Sequence, residues 1–119
     1  MTEQLNQFVN QRLPLPGLLA WGTQLPDGQI ASHGYNDRFR GSQISEFLRS
    51  IGTMTQALSQ GQSEPPRFCW KFQLARVYVA TARDGTNLAL FFRNEEKLMA
   101  EAIASLLSDF EQLPLDTLA

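Results

Sequence analysis

With 119 residues the chain has room for one hydrophobic core and not for two of ordinary size, so it reads as a single domain over 1–119 with its core in about 5–112. Hydrophobic residues make up 43% and charged residues 18%, enough to build that core and keep a wet surface, which argues against a disordered chain. A formal net charge of −2 argues against a nucleic-acid partner, because phosphate binding demands an excess of Lys and Arg.

Near the amino terminus, Thr2 is a candidate cap for a short helix in which Leu5, Phe8 and Val9 recur at helical spacing. Pro14 and Pro16 forbid its continuation, so it ends near Leu13. Neither a basic flank with an apolar block nor a run of eighteen apolar residues occurs, and we expect no export and no membrane insertion. Gly17 to Leu25 and Gln29 to Tyr35 read as strands, and Pro26-Asp27-Gly28 between them is turn chemistry: a hairpin is predicted.

A polar connection, "YNDRFRG", leads to Ser42, a candidate cap for a second helix reaching about Gln60. Ile44, Phe47, Leu48, Ile51, Met54 and Leu58 fall on one stripe at offsets of 3, 4, 7, 10 and 14, the helical period. "GQSEPP" then ends the helix and forms a loop.

The densest strand signal follows. Phe68, Trp70 and Phe72 alternate with Cys69, Lys71 and Gln73; "ARVYVATA" is rich in β-branched residues; "TNLALFF" follows a second Asp-Gly turn at Asp84-Gly85. Asn94 is a candidate cap for a last helix, stopped before Pro114, whose Leu98, Met99, Ala102, Ile103, Leu106, Leu107 and Phe110 trace a broad apolar face. The predicted class is α+β, in the order α-β-β-α-β-β-β-α, with a five-stranded antiparallel sheet. Strands such as "VYVATA" and "LALFF" are apolar on both faces, which places the sheet between helices.

This order, together with "GLLAWGTQLPDGQIASHGY" and "RVYVATARDGTNLALFF" leading into the last helix, resembles the roadblock/dynein light-chain family over roughly Leu5 to Phe110. None of these motifs is catalytic, and profilin-like and longin-like domains carry related sheets. The resemblance implies a non-enzymatic homodimer, or a heterodimer with a paralogue, that serves as a binding platform and in bacteria often stands beside a Ras-like GTPase that it regulates. It also implies that second helices pack together and third strands pair into one continuous sheet. The implied dimer contacts here are Ile44, Phe47, Ile51 and Met54 of the second helix and Phe68, Trp70, Lys71 and Phe72 of the third strand. The short first helix and the aromatic third strand depart from the family pattern, so partner identity does not carry over.

The third strand supports that reading independently. At a sheet edge it would leave unpaired backbone donors and acceptors, with Lys71 as its only charge, and pairing with a second copy would satisfy them by symmetry.

Other candidates have plainer readings. His33 needs an orienting partner to act as a base, and Asp27 and Asp37 lie in predicted turns, so it reads as a polar residue of a hairpin strand. Cys69 is the sole cysteine, which rules out an internal disulfide and fits a reducing cytoplasm. Alternating with Phe68 and Trp70, it reads as a small apolar filler rather than a nucleophile. One His and one Cys make a poor metal set, and no Gly-rich phosphate loop occurs, so neither metal nor cofactor is expected and any GTP chemistry belongs to a partner.

Residues 67–93 carry five cations against Asp84 alone, and residues 95–119 carry six acids against Lys97. Solvated rims account for this; the sharper reading is a pair of opposed charged faces that orient a partner, with Arg76 and Arg83 as contacts. Trp21 and Trp70 read as core or dimer packing, or as the lining of a small-molecule pocket. The functional expectation is a dimeric interaction module contacting the switch regions of a small GTPase; the alternative is a profilin-like small-ligand sensor domain.

Overall fold

Two Asp-Gly turns lie side by side at one end of a twisted sheet and set its architecture. The computed structural model describes residues 2–13, 15–35, 43–50, 53, 68–71, 75–93 and 100–113, with only the backbone at 2, 68, 70 and 71. In the first turn Gly28 N–H donates to Leu25 O at 2.9 Å, Gln29 N–H donates to Asp27 Oδ1 at 3.0 Å, and Gly28 takes φ +92. The second turn repeats this with Gly85 N–H to Ala82 O at 3.0 Å, Thr86 N–H to Asp84 Oδ1 at 2.9 Å, and φ +97 at Gly85. Asp supplies a local acceptor and Gly a left-handed residue that L side chains resist, which is how a short loop matches the twist of its strands.

The elements in chain order are α1 (Thr2–Arg12), β1 (Leu18–Gln24), β2 (Ile30–Gly34), a helical stretch over 43–50 (α2), β3 (Phe68–Lys71), β4 (Ala75–Thr81), β5 (Asn87–Arg93) and α3 (Ala100–Glu111). The strands form one antiparallel sheet in the order β2-β1-β5-β4-β3. The proposed caps Ser42 and Asn94, the connection over 36–41, the loop over 61–66, and Ile51, Met54, Leu58, Phe72, Leu98 and Met99 lie outside the described residues.

Helices cover both faces, as the two-sided apolar strands require. On one face Leu88, Leu90 and Phe92 of β5 pack with Leu5 of α1 and with Ile103, Leu106, Leu107 and Phe110 of α3. On the other, Ala89 and Phe91 of β5 and Val77 and Val79 of β4 pack with Ile44 and Leu48 of α2. β5 is central, so six of its seven residues are buried. A fully buried side chain such as Phe92 contributes about 1.5–3 kcal/mol by leaving water.

β1 carries one extra residue. Leu18 is opposite Phe92 and Ala20 is opposite Phe91, so Leu19 is inserted between them. The bulge lets Leu18 join the α1/α3 side while Leu19 and Ala20 both join the α2 side. Among the described residues no helix is long and apolar enough to cross a membrane.

Candidate interaction surface

β3 is the outermost strand on one side of the sheet. Its inner edge pairs with β4 in the register Phe68↔Val79, Cys69↔Tyr78, Trp70↔Val77 and Lys71↔Arg76. Among the described residues nothing pairs with its outer edge. A peptide ladder left open in this way offers donors and acceptors to another strand, and within the four residues only Lys71 guards it.

Cys69 corrects the expectation of an apolar filler: it is exposed. Opposite Tyr78 on the last strand, it has no further strand beyond it among the described residues. Strand alternation does not say whether a face is covered.

Ile44 also departs from its expected role. It is 1% exposed, packed within its own subunit against β1, and has no surface left for a dimer contact. Phe47, one helical step away, is half-buried with its ring 5.2 Å from that of Phe91. Gln43, Glu46 and Arg49 are exposed, so the side of α2 away from the sheet is polar over this stretch. Of the expected contacts, Ile51, Met54 and Phe72 lie outside the described residues, and Phe68, Trp70 and Lys71 are described as strand backbone.

The two expected partner-contact arginines differ in setting. Arg83 is exposed in the β4–β5 turn, where its backbone N–H donates to Leu113 O at 2.7 Å. Arg76 is half-buried, and its Nη1 donates to the Tyr78 hydroxyl at 3.4 Å. That bond raises the already high pKa of the guanidinium, with burial pulling the other way. On α3, Asp109 pairs with Arg12 of α1, so this acid serves the fold before any partner.

His33 lies on β2, directly opposite Trp21, with ring centroids 6.4 Å apart in a stacked arrangement and Tyr35 edge-on at 4.6 Å. It is a strand residue in an aromatic row. Trp21 itself is half-buried against the α1/α3 cluster.

No protein-family profile and no curated protein matches the sequence. Solved structures do match. Myxococcus xanthus MglB superposes with a TM-score of 0.62 at 13% identity, over 88% of this chain and 80% of that one. A Roadblock/LC7 domain from Streptomyces avermitilis superposes with a TM-score of 0.53 at 17% identity, over 87% and 88%. This chain has the roadblock fold. At these identities the likeness fixes how the elements are arranged and carries no residue's role across.

Proposed function

We propose that this chain is a non-catalytic protein-interaction module that pairs with a second copy or a paralogue along β3 and the flank of α2. In that form it regulates or scaffolds a small Ras-like GTPase in the cytoplasm. The observation that carries the reading is the position of β3 at the sheet edge, paired on one side, with an uncharged stretch Phe68–Trp70. Antiparallel pairing of two copies would join two five-stranded sheets into one continuous platform. The GTPase rests on the roadblock fold and on what that family implies, with Arg83, exposed in the β4–β5 turn, as a contact.

The test is affinity capture from native lysate with GTP or GDP added. Retention of a protein bearing a phosphate-binding G-x-x-x-x-G-K-[ST] loop, differing between the two nucleotides, supports the proposal. Loss of any such protein, together with a metabolite found in the purified chain by denaturing mass spectrometry, overturns it for the small-ligand sensor. A cleft beside Trp21 is the feature favouring that second reading.

A further inference from the structure

At the other end of the strand order from β3, α1 stands slightly off the β1–β2 hairpin and leaves a cleft of about 150 Å³. Leu5, Asn6 and Val9 of α1 form one wall. Trp21, Thr23 and Ala31 belong to the other, where Thr23 is directly opposite Ala31 and Trp21 opposite His33. The gap has a sequence cause: position 31 carries a methyl group where its ladder neighbours carry larger side chains. Leu25 and Ile30 add apolar lining at the hairpin end.

Size and charge decide what fits. Drug-sized and nucleotide pockets occupy about 300–1,000 Å³, so this cleft is too small for either. Apolar cavities of about 150 Å³ admit a benzene-sized guest. Among the described residues the lining is uncharged, so an ionised group seated between these walls would lose its hydration without a counter-charge. Trp21 supplies an aromatic surface, held by its stack on His33. Asn6 and Gln29 are exposed lining residues whose amides can exchange one hydrogen bond with a hydroxyl or ring N–H.

We propose that the cleft between α1 and the β1–β2 hairpin binds a small neutral aromatic molecule, of one or two fused rings with a single polar group. The site shares no residue with β3 or α2, so it stands whether or not the chain pairs along that edge.

The experiment is a titration of the full chain with indole, read residue by residue in amide NMR spectra, with indole-3-carboxylate as a charged probe of matched shape. Saturable shifts should gather at Asn6, Val9, Trp21, Thr23 and Ala31, and the carboxylate should bind about tenfold more weakly or worse. Ala31→Phe, at an exposed strand position, fills the cleft and should weaken indole by about tenfold or more with the remaining spectrum preserved. Should that variant disturb the hairpin, Val9→Phe narrows the cleft from its α1 wall and should lower affinity severalfold. The proposal is overturned by shifts that fail to saturate or scatter over the surface, by equal binding of the carboxylate, or by undiminished binding in the variant that folds. Binding of N-acetyltryptophanamide about tenfold tighter than indole would overturn the free-molecule ligand in favour of a partner's side chain.

Discussion

Gly22 lies directly beneath α2: a Cβ built on it would stand 2.6 Å from Ile44 Cγ2 and 2.7 Å from Leu48 Cδ1. Both partners are buried in a close-packed layer and cannot swing away, so the missing side chain is what lets the helix sit down on β1. Gly22→Ala should therefore destabilise the protein by about 1–3 kcal/mol through overpacking, measured by urea denaturation. Ile44→Ala removes the Cγ2 methyl that the new Cβ would meet, so Gly22→Ala combined with Ile44→Ala should cost less than the sum of the two single changes, and strict additivity would refute the contact.

Thr81 Oγ1 donates to Asn87 Oδ1 at 2.7 Å across the β4–β5 ladder, and both residues are buried. Thr81→Val keeps the shape and removes the donor, so it should cost about 1–3 kcal/mol. Changing Asn87 to Leu in the same chain removes the stranded acceptor and should restore much of the stability. A double variant that is as unstable as the sum of the single ones would show that the bond contributes little.

The Arg12–Asp109 ion pair ties α1 to α3 near Phe8 and Phe110, whose rings are 5.9 Å apart. With side chains 34% and 54% exposed, the pair is open to solvent, and Asp109→Asn should cost about 1 kcal/mol or less, vanishing in molar salt. Phe110→Ala, at a fully buried position, should cost about 3–5 kcal/mol. Thermal melts at low and high salt separate the two, and a salt-sensitive loss for Asp109→Asn comparable to that of Phe110→Ala would contradict this ranking.

If a GTPase docks as proposed, Arg83→Glu should slow its association at low ionic strength and leave dissociation nearly unchanged, because an exposed rim charge acts mainly on encounter. Stopped-flow or biosensor rates across a salt series check this. An on-rate equal to that of the unaltered chain at low salt would remove Arg83 from the contact.

Local chemistry was readable in the chain. The "LPDG" and "RDG" turns hold because the Asp acceptor and the Gly backbone act over a few residues, and the apolar stripe Ile44–Phe47–Leu48 marks a helix by its period alone. Four features depend on contacts distant in sequence and left little or no local sign. The inserted Leu19 appears only in the register of β1 against β5. An apolar helix face looks the same whether it covers its own sheet or another subunit, and for Ile44 its own sheet takes the surface. Cys69 alternates like a core residue, yet its exposure follows from which strand stands outermost. The cleft beside Trp21 arises from how far α1 stands from the hairpin, with Ala31 its only hint in the sequence.

Light scattering coupled to size exclusion reads pairing along β3 as a mass. At micromolar concentration a chain paired along that edge has twice the 13.4 kDa of one copy. In an antiparallel ladder successive N–H groups point to opposite sides, so one of Cys69→Pro and Trp70→Pro removes an outward donor while sparing the bonds to β4, and that variant should elute folded at the single-chain mass. A mass of 13.4 kDa for the unaltered chain throughout the micromolar range would contradict the account.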